Sequence, residues 1–314
     1  MTLNDPYPSS RFAADGQDIL IGGLSESIGF QMRVNGVTIL SETYNYDSQG
    51  QVAVRGIADV VARCLYGTLA LGSQNDARAT VDFLIDGAVV YTHTLYSSRL
   101  QNPADPQGAK ALMAVAARTV CRPGTPHVLT FIGGQTASLR DRQGNELRSV
   151  SVGQPGTVYA EDCDPVRLFP ADWQRGATVS FCGGEQVADI AGAACDDCVP
   201  VRFLNRYDVP ESVVAAYIDE KPQAQDEVSM MYSRRVRFSV KSSTDYTLRS
   251  GPLRHPGQYD SWQDLLTSRK AQVWMHGQWI DIVITKSNYS RPRRRHYGTQ
   301  VELTFQTTNP YLTL

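Results

Sequence analysis

Two dipeptides with a strong turn preference lie between apolar, β-branched runs and constrain the fold more than any other feature of the sequence. Asp86-Gly87 separates residues 79–85 from residues 88–95, and Asn35-Gly36 separates two shorter runs of the same kind. Both central residues of a type I′ turn take positive φ, and such turns join adjacent antiparallel strands. The sequence therefore predicts a β-hairpin at each place.

Short apolar runs separated by glycine-containing turns continue along the chain, which is typical of strands. Helical periodicity is limited to residues 57–65 and residues 260–268, the second with Asp260 as N-cap and Gln263 as its capping-box partner. The Ala-rich residues 109–118 fit either a helix or the end of a strand. We expect a mainly β fold with two β-sandwich-like domains and one or two short helices.

The chain of 314 residues is long enough for two domains of ordinary size. Residues 153–156, Gly-Gln-Pro-Gly, are the best linker candidate, and all four tryptophans follow them. The predicted division is a β-rich N-terminal domain at residues 1–155 and a β-rich C-terminal domain at residues 156–314. The second domain is expected to contain a cysteine-bearing segment at residues 163–198 and a long terminal hairpin.

Composition and the first residues argue against a membrane-spanning protein and against a secreted one. Hydrophobic residues make up 42% and charged residues 20%, and no apolar run approaches the roughly 18 residues of a membrane-spanning helix. The first residues lack the basic and apolar stretches of a cleaved signal peptide, so we expect the product to stay where it is made.

The net charge of -2 hides a gradient along the chain. Residues 201–314 hold 16 Lys and Arg against 11 Asp and Glu, net +5, whereas the first 200 residues hold 14 against 21, net -7. Opposite charge on two parts of one molecule suits head-to-tail packing of copies.

Four cysteines lie within 36 residues of one another. Cys195 and Cys198 form a C-x-x-C pair, with Cys163 and Cys182 upstream, and a structural zinc ion takes four such ligands in a tetrahedron. Reduced thiols in a loop, or one disulfide in an extracellular particle, are the alternatives. No cofactor other than this structural zinc is expected, and the other two cysteines are expected to be core thiols.

A basic run is predicted at the tip of the last hairpin. Its arginines are Arg291, Arg293, Arg294 and Arg295. Guanidinium groups suit phosphate oxygens, but the patch is one short loop with two tyrosines beside it. We therefore expect a solvated or subunit-pairing loop rather than a nucleic-acid contact.

No catalytic motif is present in the sequence. The five histidines include no i, i+4 pair, and G-x-S-x-G, a Walker A loop and a strand followed by G-x-G-x-x-G are all missing. No catalytic residue is nominated, and the chain is not expected to be an enzyme.

Five segments of the second half resemble tail proteins of tailed phages and prophages. They run in the order R-F-L-N-R, Y-T-L-x-S-G, a Leu-Leu helix, an aromatic strand and an apolar terminal strand. Their positions are residues 201–211, 246–253, 262–268, 278–285 and 301–305. The resemblance covers about the last 120 residues and is a pattern of β topology, with no catalytic signature in it.

The resemblance implies a structural virion protein of the tail tip, similar to distal-tail or hub-ring proteins, which form rings of β-domains with arms displayed outward. Its partners would be copies of itself and neighbouring tail proteins. Its place would be the virion tail, after synthesis in the bacterial host cytoplasm. The alternative is a carbohydrate-binding or adhesin β-sandwich in which Trp173, Trp274 and Trp279 stack on sugar faces.

Overall fold

The computed structural model describes residues 1–9, 11–101, 112, 118–184, 186–191, 197–231, 234–253, 255–288 and 300–308, and for residues 224–231, 234–243 and 256 it describes only the backbone. The structure is 51% strand and 12% helix, which confirms the predicted mainly β fold.

Strands far outnumber helices among the described residues. In chain order, the strands are β1 (Thr2–Leu3), β2 (Ile19–Gly22), β3 (Ile28–Val34), β4 (Val37–Tyr44), β5 (Gln51–Val54), β6 (Gly72–Ser73), β7 (Arg78–Ile85), β8 (Ala88–Tyr96), β9 (Arg118–Cys121), β10 (Val128–Ile132), β11 (Gln135–Arg140), β12 (Glu146–Val152), β13 (Val158–Asp162), β14 (Thr178–Phe181), β15 (Gln186–Ile190), β16 (Val199–Leu204), β17 (Pro210–Ala215), β18 (Tyr217–Met231), β19 (Arg234–Arg249), β20 (Ala271–Met275), β21 (Gln278–Asn288) and β22 (Glu302–Thr307). The α-helices are α1 (Ile57–Cys64), α2 (Pro165–Leu168) and α3 (Pro256–Leu266), and short 3-10 helices lie at Ala13–Asp15, Asn75–Ala77 and Cys182–Gly184.

These strands form five sheets. The two smallest have the orders β1-β2-β5 and β10-β13-β6, and a third has the order β4-β3-β7-β8. A five-stranded sheet has the order β12-β11-β14-β15-β9, and a seven-stranded sheet has the order β17-β16-β20-β21-β22-β19-β18. All neighbouring strands are antiparallel except β15 and β9, which are parallel.

Both hairpins predicted from turn dipeptides are confirmed. β3 and β4 flank Asn35 and Gly36, whose φ angles are 49° and 79°. β7 and β8 flank Asp86 and Gly87, whose φ angles are 48° and 82°. Positive φ at both central residues is what a type I′ turn requires, and this is why Asn, Asp and Gly are found there.

The N-terminal sheets form a sandwich-like layer pair with α1. Alternate residues of β3 and β7, including Phe30 and Phe83, face residues of β2 and β5 such as Ile21 and Val54 in one core. Val61 of α1 is fully buried in the same core. The period-two burial along β3 is the pattern of a sheet with one face buried.

The five-stranded sheet crosses the domain boundary predicted near residue 155. β11 and β12 precede that residue, β14 and β15 follow it, and β11 pairs directly with β14. Gly153 and Gly156, at φ 70° and 76°, belong to the turn between β12 and β13. The predicted linker is therefore a short turn that leads from β12 of the five-stranded sheet to β13 of the sheet β10-β13-β6.

The seven-stranded sheet packs one face against α3. Phe203, Leu248 and Phe305 from the sheet are fully buried with Trp262 and Leu265 of the helix. The predicted apolar face of this helix is thus confirmed. The predicted terminal hairpin is confirmed as well, since β21 pairs with β20 on one side and β22 on the other.

The start of α3 corrects one prediction. The helix begins at Pro256, and its N-cap is His255 rather than Asp260. The backbone nitrogen of His255 donates a hydrogen bond to Oε1 of Gln258 at 3.0 Å, and proline is favoured in the first helical turn because its missing N–H is not needed there.

The helix count is also larger than predicted, at three α-helices in the described ranges. α2 follows Asp164, whose Oδ1 accepts a hydrogen bond from the backbone nitrogen of Val166 at 3.1 Å. The Asp-Pro pair at its start is a helix-initiation signal that apolar periodicity does not show. Of residues 109–117, only Leu112 lies within the described part of the chain.

Candidate assembly and binding surfaces

The longest strand pair in the structure extends far beyond its sheet. β18 and β19 pair along their whole length, whereas β22 pairs with β19 only from Tyr246 to Arg249. Residues 221–231 and 234–245 therefore form a two-stranded ribbon, which we call the arm. At about 3.3 Å per residue the arm is about 36 Å long. A register shift at Glu227/Val228 marks a β-bulge within it.

The sequence predicted separate strands at residues 234–240 and 245–248. Both belong to the continuous strand β19.

Polar contacts hold the base of the arm against the sheet. Asp245 accepts hydrogen bonds from Nε2 of Gln223 at 2.6 Å and from Nε2 of Gln306 at 2.7 Å, so it links β18, β19 and β22. Arg249 lies over the ring of Tyr217 at 5.5 Å, and its Nε is 3.2 Å from a carboxylate oxygen of Glu302. These contacts fix the direction in which the arm leaves the sheet.

The turn between β16 and β17 joins three parts of the molecule. Asn205 is fully buried there. Its Nδ2 donates to the carbonyl oxygen of Leu112 at 3.0 Å and to Oε2 of Glu211 at 2.9 Å, while its Oδ1 accepts from the backbone nitrogen of Tyr207 at 2.9 Å. Ser97, after β8, donates to the carbonyl oxygen of Tyr207 at 2.5 Å.

Ion pairs with buried carboxylates surround this turn. Asp208 is 1% exposed, and its two carboxylate oxygens lie 3.0 Å from Nε of Arg99 and 3.3 Å from Nη1 of Arg269. Arg206 forms a two-point contact with Asp264, with distances of 2.8 and 2.9 Å. Burial raises the pKa of Asp208, and the two arginines beside it act in the opposite direction. Residues 205–208, Asn-Arg-Tyr-Asp, therefore form the joint between the sheets.

Of the four cysteines predicted to hold zinc, the structure describes Cys163, Cys182 and Cys198. Cys198 is disulfide-bonded, and a disulfide sulfur is not the thiolate that zinc requires. Cys163 and Cys182 are buried, outside any disulfide, in the core of the five-stranded sheet with Cys121. Cys195 lies outside the described residues. One disulfide was among the alternatives to zinc, and the bonded state of Cys198 agrees with it.

The predicted arginine interface and the predicted metal site are only partly covered by the described residues. Arg291, Arg293, Arg294 and Arg295 lie outside them, so the predicted interface loop stays a prediction. Among the described residues, no group of three or more His, Cys, Asp and Glu side chains is placed to hold a metal ion.

Two of the three tryptophans proposed to stack on sugars lie together. Trp274 and Trp279 are directly opposite each other on β20 and β21, with ring centroids 5.3 Å apart in an edge-to-face arrangement. Trp274 is 40% exposed. Trp173 is elsewhere, partly buried against the core of the five-stranded sheet.

Planar polar side chains continue this aromatic surface across the same face of the sheet. The guanidinium of Arg202 lies 4.4 Å from the ring centroid of Trp279, and its Nε donates to Oε1 of Gln272 at 2.6 Å. Nε2 of Gln272 in turn donates to Oδ1 of Asp281 at 2.7 Å. We call these residues, together with Trp274, the tryptophan face.

Sequence reasoning missed the arm, the buried ion pairs and the partners of the tryptophans. The arm had a weak signal in the sequence, because residues 217–231 contain Pro222 and several Asp, Glu and Lys residues, which are depleted in strands. The ion pairs had none, since Arg206 and Asp264 are 58 residues apart and carry no local pattern.

Comparisons of the chain with protein-family models, with curated proteins and with solved structures found no match. In the described ranges, no helix is long and apolar enough to cross a membrane.

Proposed function

We propose that this chain is a structural protein of a phage tail tip, of the distal-tail or hub-ring type, and that it assembles with its own copies and with neighbouring tail proteins. The observation that carries the proposal is the arm, a two-stranded ribbon of about 36 Å at 3.3 Å per residue that projects from the seven-stranded sheet. Its role is assembly rather than catalytic turnover.

The arm favours assembly because of how β-strands are stabilised. An isolated two-stranded hairpin is at best marginally stable in water, and a third strand or a packed surface is needed for lasting order. No other described strand pairs with either side of the arm. Its backbone N–H and C=O groups are therefore open to strand addition by a second polypeptide.

The rigid base supports the same role. Asp245 connects β18 and β22 through Gln223 and Gln306, so the arm leaves the sheet in a defined direction. A defined direction lowers the entropy lost when the arm docks. The opposite net charges of residues 1–200 and 201–314, -7 and +5, favour head-to-tail contacts between copies.

An arm-shortening variant tests the proposal. In this variant an Asn-Gly turn replaces residues 224–242 and connects Gln223 to Ser243. These two residues are register partners, and the contacts of Asp245 are retained. We expect the full chain to form a defined oligomer by mass photometry and the shortened chain to be monomeric with an unchanged melting temperature. A full chain that is monomeric at tens of micromolar, or a shortened chain that assembles normally, would refute the role of the arm.

Location in a particle tests the tail assignment itself. Cryo-electron microscopy of particles from a host that expresses the chain should place it at the tail end, in a ring of repeated β-domains. Absence of the polypeptide from purified particles would overturn the assignment.

The arginine loop gives a separate test of the interface. Charge reversal of Arg291, Arg293, Arg294 and Arg295 to Glu is expected to block incorporation into particles. If the arginines contact acidic groups of a neighbouring subunit, the new glutamates would repel those groups. Normal particle assembly by this quadruple variant would remove these residues from the interface.

A second candidate function is carbohydrate binding, and the tryptophan face favours it. Sugar rings stack on exposed aromatic faces, and planar amide, carboxylate and guanidinium groups hydrogen-bond their hydroxyls. Trp274 is exposed, and Arg202, Gln272 and Asp281 form a hydrogen-bonded or stacked row with Trp279 next to it.

A glycan array with the purified chain tests this second candidate. Binding that is lost in Trp274→Ala and kept in Tyr46→Ala, a control at another exposed aromatic residue, would support it. No bound glycan, or equal binding by both variants, would count against it.

A further inference from the structure

A cleft of about 530 Å³ lies between the five-stranded sheet and the end of the seven-stranded sheet, closed on one side by α3. Its walls come from β9, β15, β17, α3, the loop before α3 and the start of β10, so it exists only because these sheets meet. Its volume is within the range of small-molecule binding sites, which is about 300–1,000 Å³. Neither the proposed assembly role nor the tryptophan face uses it.

One buried polar group in the cleft has no hydrogen-bond partner. His127 precedes β10 and is 8% exposed, and its Nε2 has no partner among the described residues. Burial lowers the pKa of this imidazole to about 4, so it is neutral at pH 7. A buried polar atom without a partner costs free energy, which a ligand atom bonded to it would recover.

The carboxylates of the cleft are already bonded within the protein. Asp189 receives two hydrogen bonds from Arg118, at 2.8 and 2.9 Å, and Nε2 of His255 lies 3.3 Å from it. Glu211 accepts from Oγ of Ser261 at 2.6 Å, in addition to its bond from Asn205.

Unlike these carboxylates, one cation in the cleft has no bonding partner among the described residues. Arg122 lines the cleft and is half-buried, and in the described part of the chain its guanidinium takes part in no ion pair or hydrogen bond. A guanidinium group forms its strongest contacts with carboxylate or phosphate oxygens, and a planar, two-point contact matches a carboxylate.

Part of the remaining wall of the cleft is apolar, beside polar side chains such as Thr119, Ser250 and Gln258. Leu129, Ile190, Val213, Leu253 and Trp262 contribute to it. This wall can cover the hydrocarbon part of a ligand whose polar end reaches Arg122 and His127.

We propose that the cleft binds a small organic acid with a single carboxylate and an apolar body. The carboxylate pairs with Arg122. Nε2 of His127 is shielded from solvent in the free protein, and a turn of the imidazole ring lets it donate to the same carboxylate in the tautomer that carries its proton there. The apolar body lies against Leu253 and Trp262.

Three compounds of matched shape test the proposal by isothermal titration calorimetry: 4-phenylbutyrate, 4-phenylbutanol and 4-phenylbutylamine. We expect the acid to bind at least tenfold more tightly than the alcohol and the amine. Arg122→Gln should lower the affinity for the acid at least tenfold and leave the affinity for the alcohol unchanged. Arg140→Gln, an exposed arginine of the same five-stranded sheet, is the control and should change neither.

His127→Gln is a second variant that keeps the test independent of Arg122, and thermal melting confirms that each variant is folded. His127→Gln should lower the affinity for the acid several-fold. Equal binding of acid and alcohol, no binding of any of the three compounds, or an unchanged affinity in Arg122→Gln would each overturn the proposal. The arm-shortened chain should bind the acid normally, so failure of acid binding and failure of the assembly role are distinguishable.

Discussion

Removing the charge of Asp208 should destabilise the whole chain, because this side chain is the buried anion at the joint between the sheets. Asp208→Asn keeps the size of the side chain and suits the backbone, since the residue has a left-handed φ of 51° that Asn tolerates well. Removing one partner of a buried ion pair costs about 3–5 kcal/mol. Arg99 keeps its hydrogen bonds to the carbonyl oxygens of Leu204, Asn205 and Thr267. We therefore expect the lower end, about 3 kcal/mol.

Urea unfolding followed by tryptophan fluorescence measures this change. Arg118→Gln is the matched control, because the pair of Arg118 with Asp189 is solvent-exposed, with 56% of the arginine side chain accessible, and should cost less than about 1 kcal/mol. The double variant with Arg99→Gln should cost less than the two single changes together, since the charges of Asp208 and Arg99 are then removed as a pair and Arg269 loses its partner only once. A loss below about 1 kcal/mol in Asp208→Asn would refute the reasoning.

Three further predictions follow from single sites. Burial lowers the pKa of His127 from 6.5 to about 4, so between these pH values the unfolded chain takes up a proton and the folded chain does not. The free energy of unfolding is therefore highest above pH 6.5 and decreases as the pH falls toward 4. Urea unfolding at pH 7 and pH 4 should therefore show a loss about 3 kcal/mol larger in the native sequence than in His127→Phe, and equal losses would contradict this. Burial raises the pKa of Cys121 to about 12 and that of Cys163 well above its usual range, so a thiol reagent should label both only in urea, as mass spectrometry of peptides would show. Rapid labelling of Cys163 in the native chain would exclude its burial. Gly87→Ala should cost about 1 kcal/mol of unfolding free energy, because φ is 82° there and the added Cβ meets no other atom. An unchanged urea midpoint would show that the turn relaxes.

Local signals in the sequence predicted the hairpins well, because turn geometry depends on two adjacent residues. Asn35-Gly36 and Asp86-Gly87 needed no information from the rest of the chain. The apolar face of α3 was also predictable from its spacing, although its first turn was not, since the capping residues His255 and Gln258 precede the periodic pattern.

Contacts between distant residues were not predictable. Asp208 meets Arg99, more than 100 positions earlier, only because the turn after β16 packs beneath the loop after β8. The division predicted near residue 155 also rested on local composition alone. Gly-Gln-Pro-Gly marks a turn, and local composition carries no information about the pairing of β11, before it, with β14, after it.

The same limit applies to the candidate sites. The C-x-x-C spacing of Cys195 and Cys198 is common to zinc ligands and to disulfides, and spacing alone does not separate them. For the tryptophans, alternation along β20 and β21 put Trp274 and Trp279 on one face, while the distance to Arg202 depended on strand order.

The two long sides of the arm are different strands, and this has a consequence for any polymer built from it. When β18 of one copy pairs with β19 of another, the contact is heterologous, and each added copy leaves one side of each kind open at the ends. Growth then stops only if the rotation between copies closes on itself. If it does not close, the product is a filament, so the twist and bend at the bulge near Glu227 would decide between a finite particle component and a fibre.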